Sequence, residues 1–286
     1  MTDAVLATRH GKLGLIAPAL ARVGYALRAV DVDTDVLGTF SGEVPRPGPP
    51  HEVAVAKARL AMDATGARVG VASEGTVGPS PTVTFANADV ELVVLVDDLL
   101  GITVVGRHVS HDLRVVGEDV APEQLEGGGP AGASVDGLLA RAGVSGPDGH
   151  HLIVRPADGP SGPIVKAIGD RATLVDAVRR AAALSSDGRA RIETDLRAHL
   201  CPSRRPAIAA AAEDLALRLG SRCPACASPG WGVVRTLAGR PCADCGAPTA
   251  AVLADVEACV ACTEERERPR ADAGPVDPAR CGWCNP

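Results

Sequence analysis

The most legible chemistry in this chain is that of its thiolates. Eight of nine cysteines form four CxxC pairs within the last 64 residues: Cys223/Cys226, Cys242/Cys245, Cys259/Cys262 and Cys281/Cys284. A CxxC brings two thiolates onto one ion from a single tight turn, and a tetrahedral Zn2+ takes two such turns. Fifteen residues separate CPAC from CADC and eighteen separate CVAC from CGWC, spacings that suit a zinc ribbon. Disulfides and an iron–sulfur cluster are the competing uses, and knuckles paired at this spacing favour zinc. Two structural zinc ions are therefore expected, because four thiolates leave no coordination position open for water. Sequential pairing of the knuckles would give two separate ribbons, and alternate pairing a cross-braced fold; the spacing permits both. Residues 229–241 read as a hairpin between the first two knuckles. The ninth cysteine, Cys201, stands outside any ligand motif and is expected to be a small semi-buried side chain.

Three polar segments near the amino terminus carry the other candidate chemistry. Ala7-Thr8-Arg9-His10-Gly11-Lys12 sits at a strand-to-helix turn, where backbone N–H groups and Lys12 can hold an anion, without the spaced glycines of a P-loop. Asp31, Asp33 and Asp35 alternate along a segment read as extended and are followed by Gly38-Thr39-Phe40-Ser41-Gly42-Glu43. Like charges at that spacing repel unless neutralised, and a hard dication, Mg2+ or Mn2+, is the economical expectation. Ala72 to Pro81 places Ser73, Glu74 and Thr76 where a strand is expected to leave into a Gly/Pro loop. Further on, Asp195-Leu196-Arg197-Ala198-His199 and Ser203-Arg204-Arg205 concentrate cations suited either to gripping phosphate or to interdomain ion pairs.

Elements to position these residues follow from periodicity. Strands are expected at Ala4 to Thr8, Ala26 to Val32, Arg68 to Ala72, Val90 to Val96, Ile102 to His108 and His151 to Val154. Helical spacing marks Leu13 to Ala21, His51 to Thr65, Asp136 to Ala142, Leu174 to Leu184 and Ala207 to Leu219, with Asp187 to His199 a further helical candidate. Gly127-Gly128-Gly129-Pro130 marks a loop, and the Glu264 to Arg270 charge run a solvated linker. The expected fold is an α/β amino-terminal domain over 1–165, three-layered with a mixed sheet, a helical connector over 166–220, and a double zinc-ribbon-like module over 221–286.

Composition limits the function classes. With aromatics at 2% the core must be built from small aliphatic residues. No apolar run is long enough to span a bilayer, and the amino terminus lacks a secretion signal, so a cytoplasmic protein is expected. The net charge of −6 divides into −8 over residues 1–165, +3 over 166–220 and −1 over 221–286. An acidic chain poor in stacking aromatics makes nucleic acid an unlikely partner.

From LATRHGK through DVDTD, GTFSGEV, ASEG and TDLRAH to the terminal CGWCNP, the whole chain resembles the bacterial domain-of-unknown-function family 6671. That resemblance brings no activity, and Cys201 stands where it implies asparagine, which argues against a required nucleophile there. Residues 4–98 more distantly resemble the inosine/xanthosine triphosphate pyrophosphatase and Maf superfamily: a strand, a Ser/Thr-x-x-Asn-x-x-Lys turn and a helix, then a Lys-Ala helix and an acidic Gly-containing loop. The counterparts are Thr8 and Lys12, Glu52 with Lys57-Ala58, and Glu74-Gly75, with His10 in place of the asparagine. The expectation is a metal-dependent hydrolase of a phosphorylated small molecule, of the nucleotide pyrophosphatase kind. In it Lys12, Asp33 and Glu74 are catalytic, while Asp31, Asp35, Glu43 and Arg197 hold the dication and phosphate. The alternative is a non-enzymatic adaptor or ligand sensor whose zinc module binds a protein partner.

Overall fold

The computed structural model describes residues 1–8, 11–39, 43–80, 86–126, 134–146, 148–159 and 162–286. Arg9, His10, Phe40 to Gly42, Pro81 and the Gly127 to Pro130 loop lie outside the described residues. The described chain is mixed α/β, with three sheets and six α-helices.

The first sheet contains β1 (Thr2–Ala7), β2 (Tyr25–Val30), β3 (Val69–Pro79), β4 (Asn87–Asp97) and β5 (Ile102–Ser110) in the order β2-β1-β3-β4-β5. β1 runs parallel to β2 and β3, and the β3-β4-β5 half is antiparallel. Alternate side chains go to opposite faces of a strand. Leu6, Val71, Val93 and Leu95 therefore pack under α1 (Leu13–Ala21) and α6 (Arg205–Gly220), while Val5, Ala7, Ala72 and Val96 meet α2 (Pro50–Thr65). Helix α2 opens on Pro50, whose fixed φ suits the first turn, and closes on Gly66 at φ +69°.

Few large side chains are available, so backbones approach closely. A Cβ added at Gly106 of β5 would lie 2.6 Å from the Leu215 Cβ and collide with the Ala211 carbonyl of α6.

A second sheet joins β6 (Gly117–Val120), β7 (Leu152–Pro156), β8 (Val165–Ile168) and β9 (Ala190–Thr194) in the order β6-β9-β7-β8. With α3 (Pro122–Glu126), α4 (Val135–Ala142) and α5 (Arg171–Leu184) it closes its own core around Leu152, Ile168, Leu174, Val178 and Ile192. The apolar clusters thus group the elements differently from a connector over 166–220: β8, α5 and β9 complete this sheet, and α6 returns to the first. Where a helix was expected over Asp187 to His199 the chain forms β9, and burial of Ala190, Ile192 and Thr194 is the period-two pattern of a strand.

The third sheet, β10 (Gly232–Ala238), β11 (Val252–Ala258) and β12 (Glu265–Pro269), belongs to the cysteine-rich region. Residues 229–241 do not fold back as a hairpin; β10 pairs with β11 across the second knuckle. The Glu264 to Arg270 run is the exposed edge strand β12 rather than a linker. Its charges pair inward, Arg268 with Glu257 at 3.3 Å and Arg270 with Asp255 at 2.8 Å, and a charged edge discourages further strand addition. Among the described residues no helix is long and apolar enough to cross a membrane.

Candidate metal centres and a cationic cleft

The knuckles pair alternately. Cys223, Cys226, Cys259 and Cys262 form one group, and Cys242, Cys245, Cys281 and Cys284 the other; within each group the sulfurs lie within 4.8 Å of one another. The interleaving is a consequence of the sheet: β10 leads from the first knuckle to the second, and β11 runs back antiparallel to deliver the third beside the first. Of the two pairings that the spacing permits, the alternate, cross-braced one is formed.

The sulfur geometry tests whether a metal fits. Cys223 and Cys262 lie 3.8 Å apart, Cys226 and Cys259 3.6 Å, Cys242 and Cys284 3.8 Å, and Cys245 and Cys281 3.7 Å. A zinc ion bonded to four sulfurs at roughly 2.3 Å sets neighbouring sulfurs roughly 3.8 Å apart. A disulfide would need roughly 2.05 Å. Backbone N–H groups of Ala225 and Ala261 also donate to Cys223 Sγ at 3.4 Å and Cys259 Sγ at 3.3 Å. Each group could hold one metal ion, and four thiolates are compatible with structural zinc.

The first group is docked on the rest of the chain. Gly230, at φ +99°, packs so that a Cβ there would sit 2.7 Å from Val260 and 2.9 Å from Val104 of β5. Val260, in the third knuckle, packs against the core beneath α6.

Several of the amino-terminal polar residues meet in a small cleft of about 100 Å³. It opens at the carboxyl ends of β1 and β2, where an α/β sheet gathers its ligand contacts. Thr8 and Lys12 come from the turn into α1, which Gly11 makes possible at φ +66°. Thr34, Asp35, Gly38 and Thr39 follow β2; Ser73 and Glu74 lie on β3 and Lys57 on α2. The opposite wall is Ile153, Lys166, Asp195 and Arg197 from the second sheet.

Each charge has a defined partner. Lys12 Nζ donates to Ser73 Oγ at 2.8 Å. Burial lowers Lys12 to about 8, against the pull of Glu91 and Glu74. Glu74 accepts from Lys57 at 2.7 Å and pairs with Arg46 at 2.7 Å, one cation on each oxygen. The fully buried Asp195 clamps Arg197 through Nε at 3.0 Å and Nη2 at 2.6 Å, and also accepts from the Ala167 N–H. Despite its burial, the Asp195 carboxyl is held below its ordinary value by these hydrogen bonds, and Arg197 is raised, chiefly by the same bond. Ala167 adopts φ +60°, a costly conformation for a residue with a Cβ, next to Lys166.

Some expected ligands stand elsewhere. Asp31 and Asp33 are exposed and do not line the cleft. The segment is not an extended strand: residues 34–37 form a 3-10 turn capped by Asp33, whose Oδ1 accepts from the Asp35 N–H at 3.2 Å. Glu43 pairs with Lys166. Strand β3 continues unbroken to Pro79, so Ser73 and Glu74 lie within a strand, not on a loop. Outside the cysteine groups, no three His, Cys, Asp or Glu among the described residues bring ligand atoms together. Asp31, Asp33, Asp35, Glu43 and Glu74 therefore do not fit a preformed Mg2+ or Mn2+ site, because cations of the chain already neutralise Glu74 and Glu43. Sequence reasoning missed Lys166 and Asp195 as cleft residues; they enter through pairing of the second sheet, which leaves no local signal.

A model of the family Domain of unknown function (DUF6671) matches residues 57–286. No curated protein matches the chain.

Proposed function

The chain belongs to the Domain of unknown function (DUF6671) family, and with no activity to carry over from it we propose from the cleft alone that the protein binds and hydrolyses a phosphorylated small molecule. One observation carries this reading: among the described residues, Lys12 is the cleft cation whose ammonium is bonded only to a hydroxyl, while Lys57, Lys166 and Arg197 each have a carboxylate partner. An anionic ligand would supply what Lys12 lacks, and the hydroxyls of Thr8, Thr39 and Ser73 suit phosphate oxygens. Arg197, held by two edges of one carboxylate, is pre-ordered to neutralise charge that develops on a leaving phosphate. The distant likeness of residues 4–98 to nucleotide pyrophosphatases makes nucleotides the first substrates to try. A resident dication is not part of the proposal, given how Glu74 is neutralised.

The test is a panel of nucleoside triphosphates and phosphate esters, read both by calorimetric binding and by phosphate release, with and without Mg2+ or Mn2+. Turnover abolished by Lys12→Ala supports hydrolysis. Binding without turnover would reduce the proposal to a ligand sensor, and absence of binding by every member would remove it.

A partner-binding role for the zinc module has one observation in its favour, Trp283, which is 81% exposed in the last knuckle. The face carrying Val260 is already covered by β5 and α6, which leaves the second metal group as the free end.

A further inference from the structure

A charged cluster lies against the first sheet near Lys12. Asp89 and Glu91 are alternate residues of β4, and both are fully buried, as is Arg204 at the start of α6. Arg204 Nε donates to Glu91 Oε1 at 2.9 Å, and its Nη2 donates to that same oxygen. Asp89 Oδ1 stands 3.8 Å from Arg204 Nε, too far for a hydrogen bond. Three buried oxygens are left without a donor: both of Asp89 and Oε2 of Glu91. Arg204 and the nearby Lys12 offset the two charges, but none of these three oxygens has a donor, and a buried acceptor left unsatisfied is costly.

We infer that Asp89 and Glu91 share one proton, which Asp89 donates to Glu91 Oε2 as a carboxylic acid–carboxylate pair. The orphaned atoms are then complementary: one oxygen of Asp89 becomes a donor and Glu91 Oε2 its acceptor. A metal ion fits less well, since only two carboxylates are present and a cation already holds one of them. The cluster is tight besides: a Cβ at Gly75, opposite Glu91 in the register, would lie 2.8 and 2.9 Å from the Glu91 oxygens.

The groups facing the pair are Arg204, Lys12 from the start of α1, the Cys201 thiol, and His108, which stands opposite Glu91 on β5. Burial first, and then the Glu91 charge, push Asp89 up to about 7, with Arg204 and Lys12 opposing. The sign follows from linkage. Asp89 is raised from 3.8 unfolded to about 7 folded, so its contribution to stability is complete below the unfolded value and is lost as pH rises through 7.

The experiment compares zinc-loaded full-length wild type with Asp89→Asn, whose amide can donate to Glu91 but cannot titrate. Urea unfolding is followed at several pH values from 5 to 8.5, together with infrared spectra of the carboxylic-acid carbonyl band. The wild-type unfolding constant, relative to the variant, should rise by up to about tenfold per pH unit below pH 7 and level off above it. A protonated-acid band present at pH 6 should vanish above 7 and be missing from Asp89→Asn. Parallel pH dependence of the two proteins would overturn the inference, and so would a wild-type spectrum with no protonated carboxyl at pH 6. Should the variant fail to fold, the wild-type spectrum decides alone.

Discussion

At the scale of residues, the cleft turns on Lys12. Its depressed pKa makes ligand affinity pH-dependent: with a value near 8, the ammonium is lost as pH rises through 8, and an anionic ligand should bind more weakly above it. Lys12→Ala should weaken phosphate-ligand binding by about 10- to 100-fold, the worth of one charge-assisted hydrogen bond, in calorimetry at pH 7. Lys12→Arg, which stays charged, should flatten the profile between pH 7 and 9. An unchanged profile in Lys12→Arg would show that another group sets the dependence. Glu74 is a different case. Glu74→Gln strands the charges of Lys57 and Arg46 beside a buried site, and a loss of about 3 kcal/mol in urea unfolding is expected. Asp33→Asn should leave binding unchanged, since asparagine caps a turn as well as aspartate does and the side chain lies outside the cleft.

At the scale of elements, α6 decides the architecture of the first sheet. Its buried face is Ala207, Ile208, Ala211, Ala212 and Leu215, and small residues let it lie almost against β5. Gly106→Ala would push a methyl into the α6 backbone and should cost about 1–3 kcal/mol, measured by denaturant unfolding; a neutral effect would mean that the helix can shift freely. The same helix brings Arg204 at its head to the buried Glu91 of β4. A helix that reads as a connector in the sequence is a core element in space.

At the scale of the whole molecule, the cross-brace interleaves the two cysteine groups. The chain between the two knuckles of one group carries a knuckle of the other. The purified protein should hold about two zinc ions per chain by elemental analysis, as two complete four-thiolate sets require. Chelation should strip amide-exchange protection from residues 221–286 before the sheet under α6, because only the former depends on metal for its fold. Uniform loss of protection would instead show that the Val260 contact with the α6 core binds the two regions into one cooperative unit.

Local patterns sufficed for what local physics controls. The CxxC spacing announced two metal groups, alternating valines announced β4 and β5, and helical spacing announced α1, α2, α5 and α6, since each signal is contained in one short stretch of chain. The charged β12 misled because exposed polar residues look alike in a linker or an edge strand until a partner strand is present, and β9 because five residues are too few for a period of two to stand out. Knuckle pairing was open for the same reason, as both arrangements satisfy the same spacing and only the β10–β11 pairing selects the alternate one. The cleft was half legible: Lys12, Asp35, Ser73, Glu74 and Arg197 stood out as polar residues of three amino-terminal segments and of the cationic stretch near Arg197. That they meet each other and Lys166, while Asp31 and Asp33 stay in solvent, depends on how two sheets pack, an interaction between residues more than a hundred positions apart that no local pattern encodes.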